Sequence, residues 1–218
     1  MSAGHDHAHS FDGLNDDYKR RLMVVMAINI AMFCIEMSAG QAAGSQALKA
    51  DALDFFADGV TYALSFWVIG RAMRVRTGAA VVKGVSLLLM GLWVGLTTLY
   101  QFFVQGVPEP EVMGAIGFVA LAANLLSVYL LWAYKDGDAN IRSVWLCSRN
   151  DAIGNVAVMI AAGLVVVLQS GAPDLIVAGV MAALFLSSSY QILTQSWREW
   201  RTGGAHDHEH DGHEHEGH

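Results

Sequence analysis

Three aspartates, Asp51, Asp54 and Asp58, stand three and four residues apart inside an otherwise apolar stretch. On a helix that spacing gathers them on one face. The same arithmetic gathers Cys147, Asp151 and Asn155 on one face of another apolar stretch. A charged side chain at bilayer depth costs at least ~2.5–3.5 kcal/mol on insertion scales. Set against one another without a counter-ion, carboxylates repel and retain protons. A divalent cation removes both penalties. Asp54, Asp58, Asp151 and Asn155 offer four oxygen donors from two facing helices, which is how metal sites are built inside helix bundles. The competing account is helix capping or contact with interfacial water. It stays open for Asp51, about one turn inside its helix, and is disfavoured for Asp54 and Asp58 together. Asp151 lies roughly 15 Å into its segment, too deep to cap it. Asn155 reads either as a ligand or as interhelical glue.

Other polar residues carry weaker readings. Asn29 and Glu36 either line a watery approach to the acids or hydrogen-bond within the bundle. Asn124 and Ser127 read as contacts to a neighbouring helix. Arg149 is either a counter-charge to the acids or a side chain reaching out to the membrane surface. The ten methionines form no cluster suited to copper. Gly91 and Gly95 form a G-x-x-x-G that predicts close packing of the third helix, with a second copy of the chain as one candidate partner.

These residues need long helices to position them, and six stretches supply the roughly 20 apolar residues of a span. They fall near 21–43, 47–70, 81–104, 112–134, 142–168 and 174–197. Pro108 and Pro110, Lys135-Asp-Gly-Asp138 and Gly171-Ala-Pro173 punctuate the breaks. The second stretch is marginal by hydropathy because of its acids, and those acids are the reason to assign it as a span. The predicted class is all-α, a polytopic transmembrane bundle of six helices.

Composition agrees. Of 218 residues, 54% are hydrophobic and 15% charged, with mean hydropathy +0.39. An average globular domain carries about 25% charged residues. Lipid is therefore the expected solvent. Net charge −7, with five acids and no base after Gly204, excludes a nucleic-acid partner. Cys34 and Cys147 lie in apolar runs, and no structural disulfide is expected. Asp6, Asp12, Asp16 and Asp17 precede the first apolar stretch, unlike a cleavable signal, so that stretch is expected to remain as a signal anchor.

Lysine and arginine orient the bundle. Lys19, Arg20 and Arg21 precede the first span, and Arg71, Arg74, Arg76 and Lys83 surround the second loop. Lys135 and Arg142 flank the fourth loop, and Arg198 and Arg201 follow the sixth span. Lys49 alone departs from the pattern. Both termini are expected in the cytoplasm and the protein in the cell (inner) membrane. The chain divides into a His/Asp-containing tail at 1–18, a transmembrane unit at 19–201 and a His/Glu/Asp-rich tail at 202–218. All nine histidines lie in the tails: His5, His7, His9, His206, His208, His210, His213, His215 and His218. Imidazole suits zinc, copper, nickel and cobalt, so the tails predict weak cytoplasmic metal capture, with a merely solvated tail as the alternative.

The run Asn29-Ile-Ala-Met-Phe-Cys-Ile-Glu36, then Gly40, Gly44-Ser-Gln-Ala-Leu48 and Ala50-Asp-Ala-Leu-Asp54-Phe-Phe-Ala-Asp58, resembles the first two helices of the cation diffusion facilitators. Lys83 and Pro173-Asp174 also resemble family positions, over about residues 18–200. The resemblance implies that Asp54 and Asp58 form half of a tetrahedral metal site, with Asp151 and Asn155 as the matching pair on the fifth helix. Asp51, Glu36 and Cys147 are possible accessories. The family commonly adds a cytoplasmic domain of about eighty residues, which this sequence does not show, so a homodimer would be held through transmembrane helices. Family zinc transporters usually place a histidine in this site, whereas here there are three carboxylates and an amide.

The resemblance implies a secondary transporter that moves metal out of the cytoplasm in exchange for protons by alternating access. Its partners would be divalent metal ions, protons and the lipid bilayer, with no cofactor and no enzymatic reaction. Oxygen donors suit manganese, while histidine tails suit zinc, nickel or cobalt. Zinc is the first expectation, with cobalt, nickel, manganese and cadmium behind it. Two other readings stand: a non-transporting membrane metal buffer or sensor, and a proton-coupled exporter of organic cations.

Overall fold

The computed structural model describes residues 16–68, 73–104, 106–135 and 139–206. Six α-helices follow in order: α1 Asp16–Ala43, α2 Gln46–Val68, α3 Met73–Val104, α4 Pro110–Leu131, α5 Ala139–Leu168 and α6 Ala172–His206. A single 3₁₀ turn, Trp132–Tyr134, follows α4. Among the described residues there is no strand. The all-α expectation is met, one helix to each predicted span.

Two ends differ from the hydropathy reading. The third helix begins at Met73 rather than near residue 81, and the sixth runs to His206 rather than 197. An apolar window marks only the part of a helix matched to lipid. Backbone hydrogen bonding continues into the polar turns beyond it.

Among the described residues, five helices are long and apolar enough to cross a membrane. Only 28% of each apolar window is buried inside the protein, so most of that surface faces outward and is suited to lipid. Val167, Tyr129 and Phe103, each 74–76% exposed, stand on it. The sixth helix, α2, carries the three aspartates. It packs against α1, α3, α5 and α6, so its polar face meets protein rather than lipid.

The helices form two bodies. One is a four-helix bundle in which α1 packs on α2 and α4, and α5 packs on α4 and α2. The other is the pair α3–α6, the most extensively packed of all helix pairs. The pair owes its closeness to small residues. A Cβ on Gly91 would stand 2.9 Å from Cδ2 of Leu186, and one on Gly84 2.8 Å from Cδ2 of Leu193. Ser189 Oγ donates to the Gly84 carbonyl at 2.7 Å. A Cβ on Gly95 would lie 3.9 Å from Ala182. The G-x-x-x-G of α3 thus faces α6 of the same chain, which corrects its reading as a contact to a second copy: its small side is already occupied. Cys34 and Cys147 are both free thiols, as expected.

Each end of the molecule is fastened differently. At the end carrying the α1–α2 turn, Gly44 takes φ +69°, and Ser45 N–H bonds to the Gly40 carbonyl at 3.0 Å. This is a Schellman stop, for which glycine suits the left-handed residue. Ser45 then caps α2, its Oγ accepting from Leu48 N–H at 3.0 Å. The next two orphan donors are met from α6: Asp174 accepts from Gln46 N–H at 2.8 Å and Ala47 N–H at 3.0 Å. Glu109 N–H reaches the Ala43 carbonyl at 3.0 Å. Gly171 approaches the backbone so closely that a Cβ there would lie 2.5 Å from the Gly106 carbonyl oxygen. This end is closed. At the opposite end, Asp17 joins α1 to the end of α4 through Tyr134, whose hydroxyl donates at 2.7 Å, and Arg21 Nη1 reaches the Leu130 carbonyl at 3.1 Å.

Candidate functional site

The two bodies enclose a cavity of about 410 Å³, walled by α2, α3, α5 and α6. Helix α2 contributes Asp54, Asp58 and Thr61; α5 contributes Cys147, Asn150 and Asp151; α3 contributes Lys83. Helix α6 supplies Met181, Phe185, Ser188 and Gln195 among others. The lining runs from Asp54 toward the C-terminal ends of α2 and α6 and the N-terminal end of α5. The cavity therefore extends toward the end of the molecule where α1 begins and α6 finishes. A core layer formed by Ala50, Leu87, Met181, Ala182 and Phe185 lies around its inner end.

Helical spacing places the acids. Asp54 and Asp58 are one turn apart on α2, and the carboxyl of Asp151 lies against both. All three are half-buried. Tyr62, one further turn along α2 and 1% exposed, donates its hydroxyl to Oδ2 of Asp58. The same hydroxyl lies 3.4 Å from Ser148 Oγ on α5. Tyr62 thereby fixes one carboxylate oxygen and leaves the other to the cavity. Its signal was present in the sequence, since Asp58 and Tyr62 stand at i and i+4, yet tyrosine in a span reads first as packing.

The arrangement gathers most of the predicted residues and separates the rest. Asp54, Asp58, Asp151 and Cys147 line the cavity. Asn155 does not: it sits one turn deeper on α5, 0% exposed, with both amide atoms lacking a hydrogen-bond partner. Glu36 and Asp51 are also buried outside the cavity wall. Asn29, 2% exposed, packs near Gly59 of α2, and Ser127 spends its hydroxyl on the Ala123 carbonyl. Arg149 is exposed with its guanidinium 5.5 Å from the Trp145 ring. The cation among the described cavity walls is instead Lys83. Asn150 joins the wall as well, unheralded by the sequence. The tail histidines fall outside the described residues, apart from His206, where α6 ends.

Three carboxylates, one thiol and one ammonium make a cavity of net negative formal charge, suited to a small cation. Among the described residues, no three His, Cys, Asp or Glu side chains already converge as a metal cage. The cavity resembles a wide vestibule around its acids. A cation held there would draw the carboxylates together or complete its shell with water.

Residues 22–199 match the family profile described as the cation efflux transmembrane domain. A protein of Yersinia pestis named zinc transporter ZitB is 28% identical over 207 residues, covering 86% of this chain and 64% of its own. Zinc transporter ZitB of Escherichia coli K12 is 28% identical over 216 residues, covering 91% and 68%. A Bacillus velezensis protein named cadmium, cobalt and zinc/H(+)-K(+) antiporter is 26% identical over 211 residues, covering 88% and 65%. The chain thus spans about two thirds of the length of these relatives.

Proposed function

Since the chain belongs to the cation efflux transmembrane domain family, we propose that it exports divalent transition-metal cations from the cytoplasm in exchange for protons. One observation carries the reading. Asp54, Asp58 and Asp151 meet in a single cavity between two helical bodies, open toward one end while the other end is latched. By the distribution of Lys and Arg, the open end is cytoplasmic. Metal enters there and binds the ionised carboxylates, with Asn155 as a further oxygen donor once the ion moves inward. Sliding of the α3–α6 pair against the bundle then closes this end and opens the other.

Coupling follows from shared ligands. A carboxylate holds a proton or a metal ion, not both, so each ion displaces the other. Protons entering from outside release the metal, and metal arriving from the cytoplasm releases the protons. Zinc is the first candidate cargo, supported by the names of the relatives and by the histidine tails, which would concentrate it at the cytoplasmic mouth. Cobalt, cadmium, nickel and manganese follow.

The test is metal flux into vesicles carrying the reconstituted chain. Asp54→Ala or Asp58→Ala should abolish flux while leaving the protein inserted. Flux retained in both variants would remove the acids as the transport site.

A further inference from the structure

Among the described residues, nine buried side-chain polar atoms lack a hydrogen-bond partner, and five of them belong to three side chains outside the cavity. They are both oxygens of Glu36, Oδ2 of Asp51 and both amide atoms of Asn155. These residues are 0%, 1% and 0% exposed. Such concentration of unpaired polarity in three side chains is unusual, because buried polar groups are almost always hydrogen-bonded.

The three come from α1, α2 and α5 and converge on one level. On α1, Met32 shares a core cluster with Phe55, and a Cβ on Gly40 would meet Leu48 and Lys49. Glu36 lies midway between Met32 and Gly40 on the same face, opposite Asp51. The two carboxyls indeed lie against each other. On α5, Asp151 faces Asp54 and Asp58, while Val158 shares a cluster with Ala47 and Leu48. Asn155 stands between Asp151 and Val158 on that face, so it too is level with Asp51. While both are ionised, two carboxylates are acceptors only and cannot satisfy each other. The amide oxygen of Asn155, at the same level, is a third acceptor without a partner.

We infer that Glu36, Asp51 and Asn155 form a second station for a divalent cation, one helical turn beyond the cavity. It is an oxygen-donor set, two carboxylates and an amide carbonyl, of the kind that accepts divalent ions and suits the harder ones best. The step from the first station is short. Asp51 lies one turn from Asp54, and Asn155 one turn from Asp151, so an ion passing inward exchanges ligands along the same two helix faces. The station is occluded here: none of its residues lines the cavity, and the latch of Asp174 on α2 closes the far side. It rests on the reading of Asp54, Asp58 and Asp151 as the first station.

The test counts cadmium bound per chain by equilibrium dialysis on the purified full-length protein in lipid nanodiscs, so that tail binding is common to every sample. Glu36→Gln with Asp51→Asn keeps side-chain volume and should lower the count by one. Asp54→Asn with Asp58→Asn should also lower it by one, and the four together by two. An unchanged count in the Glu36/Asp51 pair, with one ion lost in the Asp54/Asp58 pair, overturns the second station and leaves the first. An unchanged count in the Asp54/Asp58 pair overturns the first station and this inference with it. Should the Glu36/Asp51 pair fail to fold, Glu36→Asp keeps both charges and retracts one ligand by a methylene. It should weaken one cadmium ion about tenfold, and equal affinity would overturn the inference.

Discussion

Ser45 Oγ donates to Oδ1 of Asp174 at 2.6 Å, binding the start of α2 to the start of α6 across 129 residues of chain. The carboxylate also takes the Gln46 and Ala47 amides, so one side chain completes the N-terminus of a helix to which it does not belong. Helix caps formed in this way orient two elements at once.

Asp174→Ala strips that cap and leaves buried donors unpaired. The expected loss is about 2 kcal/mol, read as a thermal midpoint lowered by roughly 4–8 °C in detergent. Ser45→Ala should cost less, since Asp174 retains the two amides. Equal midpoints for Asp174→Ala and the wild type would remove the latch as a stabilising contact.

Tyr62→Phe keeps the buried ring and removes the hydroxyl that holds Asp58. Groups that orient metal ligands typically contribute 10–100-fold in affinity. Metal binding by competition titration should weaken about tenfold, with the thermal midpoint nearly unchanged. A large fall in midpoint with unaltered affinity would make Tyr62 a packing residue only.

Lys83→Met removes the ammonium from the cavity wall and with it the repulsion of an entering cation. Metal should bind roughly tenfold tighter, on the order of 1 kcal/mol for charges several ångströms apart in a partly solvated site. Release should slow correspondingly. Stopped-flow measurement of both rates checks the prediction, and weaker binding would refute it.

Metal affinity should fall with pH. Ligand carboxylates must be ionised to bind, so each proton displaced lowers the apparent affinity by up to about tenfold per pH unit on the acid side. Calorimetry in buffers of different ionisation heat counts the protons released. A pH-independent affinity with no proton release would separate metal binding from proton exchange.

Gly91→Val forces a side chain into Leu186, whose backbone N would lie 3.2 Å from the first added carbon. Overpacking of this kind costs typically about 1–3 kcal/mol. The measurable outcome is a lower thermal midpoint together with loss of disulfide cross-linking between cysteines introduced on facing positions of α3 and α6.

The helices were legible because lipid imposes a length and a composition on each of them, and α2 was legible through its acids despite its weak hydropathy. Asp54 and Asp58 could be grouped from i, i+4 spacing alone, while Asp151 was joined to them by the family resemblance. Asn155 stands at that spacing from Asp151, yet falls outside the cavity because the wall on α5 ends one turn earlier, at Asp151. Lys83 read as a charge beside the second loop, since hydropathy began its helix only two residues before it, whereas the helix starts at Met73. Asp174 read only as a position shared with the family the sequence resembles. Its partners are backbone amides of a helix far away in the chain, and backbone amides leave no mark in a sequence.

Lys83 also bears on how the protein meets the membrane voltage. Three ionised carboxylates, one ammonium and one divalent ion sum to zero. Moving an elementary charge through the bilayer field is worth about 2.3 kcal/mol per 100 mV. A loaded cavity of zero charge feels none of this, so its reorientation would be electrically silent. An empty and unprotonated cavity, at −2, would not be. Without Lys83 the loaded cavity would carry −1, so this one ammonium sets the charge that the loaded cavity presents to the membrane field.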